Sequence, residues 1–158
     1  MRFFVPTAFL ACLTLAACAP TTKLITFYDG HLSLRVPVDW TLSVEGEAKQ
    51  VSTPRGDVVM TFTLFVKQGG EQEDFSKARF AAVDLTVWSE TADQPFQVTS
   101  PYRLDYRVYV DKANARRYAV CALSRDEYFL SLSFDLDQNS YQKNSKSIER
   151  VISDLRLQ

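Results

Sequence analysis

Apolar and polar residues alternate through most of the chain, and that period of two predicts strands at its beginning and centre. Residues 24–28 are a β-prone run, Asp29-Gly30 is a hairpin turn, and residues 31–36 set Leu32, Leu34 and Val36 on one side before Pro37 ends the strand. Shorter strands are expected at 42–45 and 49–53, followed by a turn at Pro54-Arg55-Gly56-Asp57. Residues 58–67, VVMTFTLFVK, are apolar almost throughout and predict a strand covered on both faces. The period then changes. Phe75, Ala78, Ala82 and Leu85 fall at helical spacing and predict a helix over 74–88 with Asp74 as its cap. A short strand at 96–99 precedes an antiparallel meander of 102–110, 115–123 and 128–136. Ile148, Val151, Ile152 and Leu155 share one face of a last helix capped at Asn139 or Ser140, and Leu157 closes against the core. Strands, helix, strands, helix is the order of one α+β domain over 24–158, an antiparallel β-sheet with helices packed on it.

The first seventeen residues fall outside that pattern. Arg2 is a small positive region, the stretch from Phe3 to Leu15 is almost wholly apolar, and Ala16 and Ala17 follow, which is the layout of an export signal. The apolar stretch is shorter than the ~20 residues that a lasting membrane span needs. Leu15-Ala16-Ala17-Cys18 resembles the lipobox of bacterial lipoproteins at every position. That resemblance implies cleavage before Cys18 and attachment of a diacylglycerol to its thiol, whose thiolate is the nucleophile that forms a thioether. Ordinary secretion is the competing reading: cleavage at Ala17-x-Ala19 would leave Pro20 as the new N-terminus. A buried helix with an incidental cysteine is a further one. With the lipid at Cys18, residues 18–23 are the tether, and a leash of about 17 Å over Ala19 to Lys23 keeps the domain close to its membrane.

Composition adds limits. The 158 residues suffice for one domain with its own core, and 46% hydrophobic, 23% charged and 13% aromatic content is that of a folded globular chain. Formal net charge is −1, and loss of Arg2 with the leader makes it one unit more negative, which argues against a nucleic-acid partner. Cys12 leaves with the leader and Cys18 takes the lipid, so Cys121 stands alone and no intrachain disulfide forms.

Candidate chemistry is sparse. His31 is the sole histidine, which rules out a multi-histidine metal site and leaves a Ser-His-Asp triad one base to draw on. Its place after a hairpin turn reads more simply as an exposed polar residue, and Cys121 as a small core residue in a strand. No P-loop, G-x-G-x-x-G or G-x-S-x-G occurs, Glu73-Asp74 and Asp126-Glu127 read as loop charges, and no cofactor is implied. The most suggestive stretch is YRLDYRVYVDKANARRYAV, residues 102–120. Paired strands there put Leu104, Tyr106, Val108, Ala119 and Cys121 on one face and Arg103, Asp105, Arg107, Tyr109, Arg116 and Tyr118 on the other. Arg103, Arg107, Tyr109, Arg116 and Tyr118 are therefore the candidate binding residues, by their resemblance to the Tyr/Arg enrichment of protein interfaces or to a phosphate-docking patch. The alternative is a solvated sheet face in which Asp105 bridges arginines.

YDGHLSLRVPVDW, residues 28–40, resembles the opening hairpin of the PsbP-like fold, in particular its DcrB-type bacterial lipoproteins, and IERVISDLRLQ, residues 148–158, is similar to that group's last helix and tail. The resemblance implies a PsbP-like α/β/α sandwich whose members bind other proteins or assist assemblies, with no catalytic residue among the shared motifs. DcrB-type lipoproteins commonly carry Asp after the lipidated cysteine, resembling an inner-membrane retention signal. Ala19 and Pro20 stand here instead, and in a two-membrane cell they point to the periplasmic face of the outer membrane. Two functions follow as expectations. One is a non-enzymatic, membrane-anchored envelope lipoprotein that binds an envelope protein or serves an assembly. The other is a carrier of a small apolar or lipid-like ligand between sheet and helix, where Met60 to Val66 would face Phe75 and Phe80.

Overall fold

In the computed structural model, residues 21–69, 72–92, 102–111 and 113–158 are described, so the leader, Cys18 and the strand expected at 96–99 lie outside the described residues. Strand β1 (Thr22–Phe27) turns through a single 3-10 turn, Tyr28–Gly30, into β2 (Leu32–Pro37). Tyr28 and Asp29 take the left-handed conformation there and Gly30 has φ +101°, where a side chain is strained, so the glycine makes this turn possible. The chain continues through β3 (Thr41–Glu45), β4 (Ala48–Ser52), β5 (Val58–Val66), α1 (Gln72–Ala81), β6 (Ser89–Thr91), β7 (Leu104–Asp111), β8 (Arg116–Arg125), β9 (Tyr128–Asp137), α2 (Gln138–Ser153) and β10 (Arg156–Leu157).

Among the described residues the strands make two antiparallel sheets, one of seven in the order β3-β4-β5-β9-β8-β7-β6 and one of three in the order β1-β2-β10. The expected meander is β7-β8-β9, in register with Tyr106 opposite Cys121 and Val108 opposite Ala119. One face of the large sheet presents Met60, Phe62, Cys121, Leu132 and Phe134 to Leu32, Leu34 and Val36 of β2 and to Ile148, Val151 and Ile152 of α2, all in one buried cluster. Each such side chain contributes about 1.5–3 kcal/mol when fully buried. Leu157, wholly buried, closes that cluster as β10 pairs with β2. Helix α1 lies on the opposite face, where Phe75 stacks on Phe129 of β9 with ring centroids 4.5 Å apart. The layers are therefore α1, the large sheet, and the small sheet together with α2.

Three local expectations change. The first helix is α1, ending at Ala81 rather than running to 88, because Asp84 folds the chain back by accepting hydrogen bonds from the Thr86 amide and hydroxyl. Leu85 is consequently 68% exposed, and Asp74 sits inside the first turn of α1 rather than at its cap. The last helix is capped by Asp137, whose side chain accepts the Asn139 amide, so the cap precedes both residues expected for it. Strand β5 is fully buried at Val58, Met60 and Phe62, while the alternate Val59, Thr61 and Thr63 are half-buried. Its two faces are thus covered unequally. No helix among the described residues is long and apolar enough to cross a membrane.

Candidate functional site

The Arg/Tyr face forms on β7 and β8 as the alternation requires, with Tyr109 opposite Tyr118 and Asp111 opposite Arg116. It is also the face on which α1 lies. Ser76 Oγ donates to Asp105 Oδ2 at 2.7 Å, and Gln72 Nε2 donates to the Ala122 carbonyl at 2.9 Å and to Asp105 Oδ2 at 3.2 Å. Arg79 Nε donates to Ser131 Oγ at 3.0 Å. Asp105 accordingly ties the sheet to α1, besides pairing with Arg103 at 3.8 Å.

The candidate binding residues divide by exposure. Tyr109 is 1% exposed and lies too deep to touch a partner, and burial pushes its hydroxyl above the ordinary tyrosine range. Tyr118 is half-buried against Trp88, with ring centroids 5.4 Å apart. Arg103, Arg107 and Arg116 are exposed, and each meets a carboxylate. Arg107 pairs with Glu90 at 3.1 Å while its guanidinium lies 4.8 Å from the centre of the Phe80 ring. Arg116 holds Asp135 in a two-pronged pair, Nε to Oδ1 at 3.1 Å and Nη2 to Oδ2. The physical reason for the change from an open patch is the packing of α1 and the residues after it, which buries Tyr109 and half-buries Asp105 and Tyr118.

The groups weighed for catalysis do not meet. Cys121 is buried beneath the sheet, and loss of solvation pushes its thiol up to about 12, so it stays protonated. His31 is half-buried rather than exposed, at the end of the molecule where the Tyr28–Gly30 turn meets the β8–β9 turn. Its Nδ1 donates to the main-chain oxygen of Gln158 at 3.0 Å, and Nε2 then accepts from the Tyr128 hydroxyl at 3.3 Å. Beside it Arg125 Nη1 donates to the Leu157 carbonyl and to Tyr102 Oη, and Tyr102 Oη accepts the Leu157 amide at 3.1 Å. His31, Arg125, Tyr128, Leu157 and Gln158, with Asp126 and Glu127 of the two-residue turn, line a cleft of about 280 Å³. Sequence reasoning misses this cluster, because it joins His31 to Tyr128 across 97 positions. Its bonds fasten β10 and the Gln158 main chain to the sheet, and both imidazole nitrogens are committed to that fastening. Among the described residues no group of three or more His, Cys, Asp or Glu is placed to hold a metal ion.

The space proposed for an apolar ligand is occupied by the protein itself. Phe75 stands between Phe129 and Phe65, 5.5 Å from the latter, and Met60 and Phe62 point to the other side of the sheet, into the main core.

No protein-family model and no curated protein matches the chain. Solved structures do match. CyanoP, the cyanobacterial PsbP of Synechocystis, superposes with TM-score 0.63 at 8% identity, covering 90% of this chain and 96% of that one. LpqN of Mycobacterium tuberculosis, a protein involved in cell envelope biogenesis, gives 0.59 at 10% identity over 86% and 90%. A protein of Bacteroides thetaiotaomicron gives 0.58 at 13% identity over 88% of this chain, which spans 49% of that structure. At these identities the likeness is one of fold: the chain has the PsbP-like α+β architecture that the motifs at residues 28–40 and 148–158 resemble.

Proposed function

We propose that the chain is a DcrB-type, PsbP-like lipoprotein of the bacterial cell envelope, held at a membrane through Cys18, which binds an envelope protein or serves an assembly and catalyses no reaction. The observation that carries this reading is the complete Leu15-Ala16-Ala17-Cys18 lipobox, set only three residues before Thr21, whose carbonyl accepts the Val38 amide at 3.3 Å and so already belongs to the fold. Each buried CH₂ of an acyl chain contributes about 0.8 kcal/mol, so one chain binds reversibly and two or three make detachment negligible. The envelope role that LpqN has on the same fold supports the placement. With Ala19 and Pro20 after the cysteine, the outer membrane is the expected destination in a two-membrane cell. Of the face singled out above, Arg103, Arg107 and Arg116 remain exposed, and we assign the partner contact to them with the half-buried Tyr118 at its edge.

The test is metabolic labelling with a palmitate analogue. The wild-type protein should carry the label and sediment with membranes, while Cys18→Ser should lose both and keep a folded domain by circular dichroism. A Cys18→Ser protein that is still labelled would overturn the reading.

A further inference from the structure

Several exposed cations are neutralised locally: Arg103 by Asp105, Arg107 by Glu90, Arg116 by Asp135, Arg125 by Asp126 and Lys77 by Glu73. Arg156 of β10 bonds the Ser153 and Leu155 carbonyls instead. Arg35, Arg55, Lys143 and Lys146 are exposed, and among the described residues none of them has an ion-pair partner.

These four are gathered where the chain joins the fold. Arg35 of β2 and Arg150 of α2 line a cleft of about 200 Å³ together with Thr21 and Thr22. Arg55 and Lys143 line a second cleft of about 390 Å³ with Asp39 and Trp40. The loop after β2 joins the two, since Lys23 Nζ donates to the Val38 carbonyl at 3.1 Å and to the Trp40 carbonyl at 2.6 Å. On α2, Lys143, Lys146 and Arg150 follow at spacings of three and four and occupy one stripe about 10 Å long. The carboxylates nearby are Asp39, Asp57, Asp137, Glu149 and Asp154. Asp57 accepts from Thr53 and Ser140, and Asp154 lies 3.8 Å from Arg150. With Lys23, cations among the described residues outnumber carboxylates at this end by one, in a chain whose formal net charge is −1.

We propose that this end is a docking surface for anionic phospholipid headgroups, with Arg35, Arg55, Lys143, Lys146 and Arg150 as its cations. The inference rests on the lipid anchor at Cys18. Three residue steps from Cys18 to Thr21 reach about 10 Å, comparable with the Debye length of about 8 Å at physiological ionic strength, so a lipidated chain holds these cations within the field of the surface. Each cation so placed raises occupancy of the docked state about fivefold. Strand β1 runs away from this end for about 20 Å, which leaves the cleft at His31, Arg125 and Tyr128 facing the aqueous compartment.

The experiment uses the full lipidated protein reconstituted in phosphatidylcholine vesicles with or without phosphatidylglycerol. Exposed amines are acetylated with a water-soluble active ester, and each lysine is read by mass spectrometry. Lys143 and Lys146 should react about fivefold more slowly or less when phosphatidylglycerol is present. High salt should remove the protection, Arg35→Gln with Arg55→Gln should weaken it, and Lys67 and Lys77 should react alike in both vesicles. Equal rates at Lys143 and Lys146, or slowing that extends to Lys67 and Lys77, would overturn the docking surface while leaving the anchor intact. A reconstituted protein without lipid mass on Cys18 would overturn the anchor itself, and the docking surface with it.

Discussion

Asp57 shows how a single side chain couples two parts of the fold to pH. Its carboxylate accepts hydrogen bonds from Thr53 Oγ1 in the turn before β5 and, at 2.8 Å, from Ser140 Oγ in the first turn of α2. Both bonds favour the charged form and hold the carboxyl below the usual aspartate range. A group whose folded pKa is depressed stabilises the fold above its unfolded value, about 3.9 for aspartate, and that contribution is lost as pH falls through the lower folded value. Asp57→Asn should therefore cost about 1 kcal/mol at pH 7. Urea titrations of both proteins should show the difference closing below about pH 4. A difference that stays constant across this range would mean that the carboxylate's charge is not what the two hydroxyls stabilise.

At the scale of elements, α1 is held to the sheet by polar bonds as much as by carbon. Gln72 and Ser76 are its buried residues, and both converge on Asp105, while Phe75 alone of the apolar positions expected to face the core packs against the sheet. Removing either polar partner leaves the Asp105 carboxylate short of a donor, so Gln72→Ala or Ser76→Ala should each lower stability by about 1–3 kcal/mol. Leu85→Ala, at an exposed position beyond the helix, should stay within about 0.5 kcal/mol. Thermal melts of the three variants distinguish this arrangement from a helix packed on Ala78, Ala82 and Leu85, which would reverse the order. The same contrast explains what is legible in the sequence. Strands β7, β8 and β9 show plain alternation because one face of each meets the main core, and Leu104, Tyr106, Val108, Ala119 and Cys121 share that face as the pattern requires. Helix α1 hides its contact, because a search for apolar residues at helical spacing passes over Gln72, Ser76 and Arg79. Strand β6 has three residues, too few to show a period, and pairs with β7. Tyr109 reads as an exposed tyrosine from its alternation, and only the covering of that face reveals it as buried. The cluster at His31 joins residues from both ends of the chain, and local periodicity carries no information about such contacts.

The whole molecule has two unlike ends. At the Thr21 end Arg35, Arg55, Lys143 and Lys146 are exposed and, among the described residues, have no ion-pair partner; at the other end β10 and Gln158 are bonded to His31, Tyr102 and Arg125 around a cleft. A core of PsbP-like fold lies between them. The sense of this polarity depends on Cys18, since a lipid there places one end at a bilayer and leaves the other facing the aqueous compartment. The direct measurement is the intact mass of the N-terminal peptide of the protein purified from its own membranes. The expected result is a peptide that begins at Cys18 and carries a diacylglyceryl group, with or without a further acyl chain on its amine. An unmodified peptide beginning at Pro20, or one retaining residues 1–17, would contradict the account.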